Sequence, residues 1–381
     1  MTRSMLLLLL GGMLWFFPGS ADATQADIDD ESRKKILSHG PWPPKPPLDP
    51  SNRFSENREA IALGKRLFED SRVSPDGAMA CTSCHQPDRG LSDGVPVAVG
   101  RAPLTRNSPS LWNAGFGRWF GWGGENDSLW SHTLVPLTNP KELASSGAHL
   151  KNLLSSDPAY SKAYQPLTAG PISEQADEAV LVSIAKMLAA YQETLISPRT
   201  SFDRFRDALG AGDKDAMAAY PDAARRGLLL FVGKARCSLC HWGPSFTSGE
   251  FEEIGISYFL EGGGVDSGRN QGIKALQSSP YTRLGEWSDR RDGVSSFATR
   301  YVKRQHRDFG AFKVPGLRGV AETAPYMHNG SLATLEQVVR HYSEPPTERL
   351  HMERGSLIRP LKLSDPEISD LVAFLKSLSP N

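Results

Sequence analysis

The chain has 381 residues, 39% of them hydrophobic, enough to bury two cores rather than one. Its 43 Lys and Arg balance 43 Asp and Glu, which leaves no electrostatic case for a nucleic acid partner or an anionic membrane surface. All four Cys fall inside two short runs, so none is left for a disulfide framework.

In chain order, Met-Thr-Arg-Ser, an apolar run from Met5 to Phe17 and Pro18-Gly-Ser-Ala-Asp-Ala23 read as a secretory signal over residues 1–23. The run is about 13 residues, short of the roughly 20 that span a bilayer, so no membrane span is expected after cleavage. Residues 24–50 turn Pro-rich at Gly40-Pro-Trp-Pro-Pro-Lys-Pro-Pro47 and predict an extended N-terminal arm. A helix is predicted over residues 58–69, with Leu63, Leu67 and Phe68 on one face. It delivers the chain to Cys81-Thr-Ser-Cys-His85. Residues 91–140 are rich in Gly, Pro, Asn and Trp with little periodicity, and predict site-bearing loops. An amphipathic helix is predicted over 173–195 with Ser173 as its cap. Residues 210–222 then read as a boundary, dividing a domain at 51–215 from one at 216–381. A helix over 223–233 leads into Cys237-Ser-Leu-Cys-His241 as the first helix led into its own run. Residues 251–309 are irregular, and Glu261-Gly-Gly-Gly-Val265 lacks the strand–helix context of a nucleotide fingerprint. Thr334 and Gln337 form a capping box before a helix whose Leu335, Val338, Val339 and Tyr342 share one apolar face. That face turns the Tyr342 phenol inward. A last helix starts at Ser364 with Glu367 and buries Ile368, Leu371, Val372, Leu375 and Leu378.

C-x-x-C-H is the covalent attachment motif of a c-type haem. The thiols add to the porphyrin vinyl groups and the His becomes the proximal iron ligand. Cys81, Cys84 and His85 therefore predict one haem, and Cys237, Cys240 and His241 a second. A four-Cys zinc site is the first alternative, but the pairs lie 156 residues apart and a His follows each at once. A redox dithiol is the second, and it lacks the expected βαβ pattern. Helix, motif and loops occur twice, an internal duplication in kind. The fold class expected is mainly α: two cytochrome c-like haem domains with long irregular loops. Haem attachment of this type takes place outside the bacterial cytoplasm, which agrees with the signal and predicts a periplasmic protein.

With these flanks in view the chain resembles the bacterial dihaem cytochrome c peroxidase family, which includes MauG. Arg106-Asn-Ser-Pro, Asn139-Pro-Lys-Glu142, Phe312-Lys-Val-Pro and Ala324-Pro-Tyr-Met-His-Asn-Gly330 carry the resemblance over residues 60–143 and 224–381. Asp127-Ser-Leu-Trp-Ser131 and the insertion after Asp266-Ser-Gly-Arg269 resemble its methanobactin-associated branch, typified by MbnH.

The resemblance implies a peroxide-reactive haem at His85 and an electron store at His241. Trp122 matches the Trp between the haems, although the family's F-W-D-G-R is here Gly121-Trp-Gly-Gly-Glu125, which puts its salt bridges in question. Asn107, Thr323 and Pro325 match the ligands of an inter-haem calcium, the last two through backbone carbonyls. Glu142 matches the distal carboxylate that moves peroxide protons. By itself it would read as a surface Glu near a helix start. His132 stands where the family has Gln, as a proton shuttle or a satisfied core His, and Pro136 matches a distal Pro. No His or Met lies between Gln86 and Asn107, so the iron over His85 is expected to have an open face. Fourteen residues beyond His328, where electron-accepting peroxidases have Met, stands Tyr342. A hard anionic phenolate lowers the potential that Met would raise. Met327, Met352 and His341 are competing ligands by chemistry. The exit Trp of MauG is replaced by Ala235, leaving Trp242 and Trp287 as candidates.

The function implied is a periplasmic MauG-like enzyme that takes hydrogen peroxide to a high-valent dihaem state. That state would oxidise a residue of a partner protein: Trp, towards kynurenine, on a methanobactin-associated copper-binding protein. The alternatives are a cytochrome c peroxidase fed by a small cytochrome or copper protein, and a dihaem electron carrier, against which the open distal face speaks.

Overall fold

The computed structural model describes residues 28–260, 263–291, 294–346 and 358–380. The expected signal at 1–23, the start of the arm, Glu261-Gly262 and Met352 lie outside them. Thirteen α-helices occur among the described residues. They are α1 (Asp30–Leu37), α2 (Arg58–Glu69), α3 (Leu129–Thr138), α4 (Gly147–Ser156), α5 (Pro158–Tyr164), α6 (Asp177–Gln192) and α7 (Ser201–Ala211). The rest are α8 (Lys214–Ala218), α9 (Asp222–Val232), α10 (Arg269–Ser278), α11 (Val294–Tyr301), α12 (Leu335–Ser343) and α13 (Asp365–Lys376). The only sheet among these residues is the antiparallel pair β1 (Phe251–Glu252) and β2 (Phe312–Lys313), with Phe251 opposite Lys313. The mainly α expectation holds.

Two hydrophobic cores organise the chain. In the first, α6 is the axis, buried on almost every side, with α2, α3 and α4 packed around it. In the second, α9 lies along α13, and Phe202, Phe231, Phe246 and Phe374 meet edge to face or tilted. Each core crosses its helices at a glycine. A Cβ on Gly64 of α2 would lie 2.1 Å from the Met187 carbonyl oxygen of α6, and one on Gly227 of α9 would lie 1.9 Å from that of Asp370 on α13. Only a hydrogen fits at either crossing. The two helices share the run Gly-x-x-Leu-Phe (Gly64 to Phe68, Gly227 to Phe231), so the duplication extends from the motifs to the packing that places them.

The sequence expectation differs from the structure in four places. α1 forms inside the supposed extended arm, capped by Asp29, and buries Ile36 in the second core. α7 packs in the second core too, through Phe202, Phe205 and Leu209, so core membership changes before Ser201 rather than at 215. The Arg318 guanidinium secures this arrangement: it is held by Asp203 of α7 at 2.8 and 2.9 Å and covers the Trp42 ring at 3.8 Å. α6 begins at Asp177, because Ile172–Glu174 closes a separate 3₁₀ turn and no Ser173 cap forms. α3, α10 and α11 arise in stretches read as loops.

Gly227→Ala is expected to cost about 1–3 kcal/mol or more, since the backbone of Asp370 cannot yield cheaply. Gly210→Ala on α7 meets only Leu37 Cδ2 at 3.5 Å and should be neutral or stabilising by up to about 1 kcal/mol. Urea unfolding of the two variants side by side checks the pair.

Candidate functional site

The two motifs fold into the same turn. Cys81–Ser83 and Cys237–Leu239 are 3₁₀ turns, and the motif His amide donates to the first Cys carbonyl at 3.0 Å (His85) and 2.9 Å (His241). This sets both Cys and the His on one short coil. Each His then donates from Nδ1 to a backbone carbonyl: His85 to Leu91 at 3.0 Å, His241 to Phe246 at 3.0 Å. Burial pushes both imidazoles below their usual value, so they are neutral and Nε2 carries a free lone pair. That is the tautomer a metal-bound His needs. Leu91 and Phe246 both hold left-handed backbone, with φ of 59° and 54°. No motif reading foresaw either, and an L-residue there shows only in the structure.

No disulfide joins the four Cys. Burial raises Cys81 and Cys237 to about 12 and Cys84 to about 11, and raises Cys240 as well. Cys81 packs against the first core and Cys237 against the second, so the two pairs do not close one tetrahedral shell. Among the described residues no three His, Cys, Asp or Glu cluster to hold a metal. The four-Cys zinc alternative fails, and the donor set fits two c-type haems.

Around the first motif the structure brings together three candidates. His132 and Pro136 lie one turn apart on the same face of α3. Pro136 has no N–H for the His132 carbonyl. After α3 the chain turns back, Leu143 N donating to the Pro136 carbonyl at 3.1 Å, and Glu142 comes beside them. Burial raises the Glu142 carboxyl, against a 2.7 Å bond from Asn139 Nδ2, and its charge reaches the Cys84 thiol. His132 is pushed down to about 4, chiefly by burial, and feels the charge of His85. Ser131 Oγ donates to Asn126 Oδ1 (3.0 Å), which turns the Asn126 amide nitrogen to His132 Nδ1 (3.1 Å). The His132 proton therefore sits on Nε2. Here His132 is a neutral hydrogen-bond donor, and Glu142 is the group able to exchange a proton.

A polar seam joins the cores. Trp122 Nε1 donates to the Asn107 carbonyl (2.9 Å), and Asn107 N donates to the His328 carbonyl (2.8 Å). Lys313 N returns to the Trp122 carbonyl at 2.9 Å. The salt bridges questioned from the sequence exist in altered form. Arg106 grips Asp266 with two nitrogens at 2.6 and 2.7 Å and reaches Glu125 with a third. Asn107 Nδ2 donates to Val95 (2.9 Å), while no donor among the described residues reaches Asn107 Oδ1 or the carbonyls of Thr323 and Pro325.

At the second motif, burial raises the Tyr342 phenol and the charges of Cys237 and Cys240 add to the shift, which places the hydroxyl beside those Cys. No hydrogen-bond partner for it occurs among the described residues. His341 points elsewhere, its Nε2 tied to the Ile254 carbonyl at 2.7 Å. Of the exit candidates, Trp242 is 55% exposed beside His241. Trp287 packs on the first core.

A family model described as di-haem cytochrome c peroxidase matches residues 58–210, and one described as RoxA-like, cytochrome c-like matches 311–347. The methylamine utilization protein MauG of Methylorubrum extorquens is 34% identical over 362 residues, 94% of this chain and 87% of that protein. The chain belongs to the di-haem cytochrome c peroxidase family that includes MauG. Cytochrome-c peroxidase IdrP1 of a Pseudomonas species is 31% identical over 375 residues, 94% of this chain and 88% of the relative. The crystal structure of a MauG-like protein associated with microbial copper homeostasis superposes with a TM-score of 0.66 at 26% identity. It covers 90% of this chain and 96% of that one. As a member of this family the protein is a peroxide-using dihaem oxidoreductase.

One residue beside the candidate site escaped the sequence reading as a functional group. Lys313 has no ion pair among the described residues. Burial pushes its ammonium down to about 8, its charge lowers His132, and Nζ lies 5.6 Å from the Phe120 ring centroid. The signal was a Lys inside Phe312-Lys-Val-Pro, which carried the resemblance without a role.

Glu142 sets a pH dependence. Its folded value is raised above the ordinary 4.5, so the carboxylate form, which the resemblance makes the acceptor of a peroxide proton, is lost as pH falls through that raised value. The rate of reaction with peroxide should rise with pH on this limb. In Glu142→Gln the limb should vanish and the rate drop by about 10²-fold. Stopped-flow spectra across pH measure both.

Proposed function

We propose that this protein is a periplasmic MauG-like enzyme that spends peroxide on a protein. It would use hydrogen peroxide to oxidise a residue of a partner, a Trp carried towards kynurenine. The observation that carries the reading is Tyr342: a phenol without a hydrogen-bond partner, beside Cys237 and Cys240, where a Met would mark an electron-accepting peroxidase. The secretory pattern at residues 1–23 and the extracytoplasmic chemistry of haem attachment support the periplasm. No helix among the described residues is long and apolar enough to cross a membrane. The residues before Ser201, α1 excepted, are proposed as the peroxidatic domain, and those from Ser201 onward, with α1 packed on them, as the electron-transfer domain.

Cys81, Cys84 and His85 would hold one haem, and Cys237, Cys240, His241 and Tyr342 the other. When bound, the haems supply the redox chemistry, taking peroxide to two waters with two protons and two electrons. The chain's own residues do the rest. His132 presents Nε2–H to the bound oxidant and orients it. Glu142 carries the proton, burial having raised its carboxyl above the ordinary value. Pro136, one turn along α3 from His132, adds apolar bulk and carries no N–H. Trp122 bridges the cores, fixed at its nitrogen by Asn107 and at its carbonyl by Lys313. Asn107 Oδ1 and the Thr323 and Pro325 carbonyls are hard oxygens free of donors, and suit Ca²⁺. The partner would be a methanobactin-associated copper-binding protein, a reading supported by the likeness to a MauG-like protein associated with microbial copper homeostasis.

A second reading has its own support. IdrP1, named a cytochrome-c peroxidase, is nearly as similar as MauG, and such an enzyme would draw its electrons from a small cytochrome or copper protein. Tyr342→Met separates the two. The variant should keep two haems by intact mass, shift the ferric spectrum to His/Met ligation, and lose partner oxidation, read by mass spectrometry after peroxide addition. A wild-type spectrum that already reports His/Met ligation, or a variant that modifies the partner at the wild-type rate, would overturn the MauG-like reading.

A further inference from the structure

α11 sits in the insertion after Arg269 and presents two unlike faces. On one, Ser296 is buried with Oγ donating to the Arg291 carbonyl (3.1 Å), and Thr299 Oγ1 donates to Asp127 Oδ2 (2.7 Å). Asp127 is itself buried and directly precedes Ser128, the cap of α3. The opposite face is bare. Phe297 is 63% and Tyr301 58% exposed, one turn apart, with ring centroids 4.5 Å apart. Beside them Arg300, Lys303 and Arg304 are exposed, and none has a carboxylate partner among the described residues. Many exposed cations elsewhere do: Arg226 has Asp370 and Lys234 has Glu367. In a chain of zero net charge, this is a local concentration of unanswered positive charge around an aromatic knob.

We propose that the α11 face is the docking surface for the protein substrate, and that the substrate meets it with an apolar spot rimmed by Asp and Glu. The substrate part rests on the oxidising role argued above. Aromatic and Arg side chains dominate binding energy at protein interfaces, and unpaired cations steer an acidic partner onto them. A bilayer fits less well, because interfacial helices need a long apolar face and α11 has eight residues. A second copy fits less well too, since a two-fold contact would set the same cations against themselves. The mooring matters as well. Through Thr299 and Asp127 the face is tied to the cap of α3, the helix that carries His132, so the partner would dock against the peroxidatic half of the molecule.

The test uses the dihaem holoenzyme and a synthetic peptide with one Trp flanked by Asp and Glu, with a Lys-flanked peptide as control. Fluorescence anisotropy should show the acidic peptide binding, weakening with salt, and the control not binding. Phe297→Ala/Tyr301→Ala, and separately Arg300→Glu/Lys303→Glu/Arg304→Glu, should each weaken binding by about tenfold or more. Peroxide consumption with ascorbate should be unchanged in both. Binding equal in wild type and variants would overturn the assignment. So would a wild-type dimer that Phe297→Ala/Tyr301→Ala makes monomeric, or binding to phosphatidylglycerol vesicles in place of the peptide. Mass spectrometry of the peptide after peroxide reads the oxidising role separately. A peptide that binds through α11 and stays unoxidised leaves the surface standing and removes the role.

Discussion

Each motif His donates from Nδ1 to the carbonyl of a left-handed residue, and the geometry of both centres hangs on that bond. The conformation costs Leu91 and Phe246 about 1–2 kcal/mol each. Both side chains are buried, Leu91 at 5% exposure and Phe246 at 0%, which returns about 1.5–3 kcal/mol apiece. Burial therefore outweighs the strain, and the strained carbonyl is fixed by the hydrophobic core. The ring tautomer is in this sense a consequence of packing: Phe246 is locked among Phe202, Phe231 and Phe374, and Leu91 among the residues around α6. The glycine crossings belong to the same constraint, since they let α2 and α9 approach closely enough to set each motif against its core.

The seam between the cores is built differently, from polar groups. Arg106 spans Glu125 and Asp266 with three nitrogens, and the Trp122–Asn107–His328 chain uses backbone carbonyls. Burying these ions is favourable only because each is paired and hydrogen-bonded. Its gain is orientation more than stability. A Trp anchored at its nitrogen and its carbonyl keeps one pose relative to both halves.

What could be read from the sequence followed from short-range rules. α2, α9, α12 and α13 have clear apolar periodicity, and Thr334 with Gln337 and Ser364 with Glu367 form the capping boxes their spacing predicts. α3 was hidden by Pro136, which lies inside the helix and breaks its pattern in the sequence. α10 and α11 lie in polar sequence and are held by tertiary bonds such as Thr299 to Asp127, invisible in a single segment. α1 owes its place to one buried Ile36 inside a Pro-rich arm. Of the site, the covalent motifs were legible because their chemistry is local. The altered salt bridges and Lys313 were not, because Arg106, Glu125, Asp266 and Lys313 meet only through the fold.

Tyr342 shows how far a periodicity argument reaches and where contact must finish it. Spacing on α12 put Tyr342 on the apolar face with Leu335 and Val339, and put His341 about 100° away. That ranked the phenol above the imidazole without excluding the latter, since a helix can rotate. The Ile254 carbonyl decides between them. It occupies His341 Nε2 at 2.7 Å, and a nitrogen engaged there has no lone pair to offer the second motif. The rotation of α12 is fixed in turn by its capping box and by Ser343, whose Oγ accepts from Leu363 N at 2.8 Å. With His341 tethered on one side and Ser343 on the other, the residue between them points at Cys237 and Cys240. The orientation of the Tyr342 phenol is therefore set by ordinary hydrogen bonds at the two ends of a nine-residue helix.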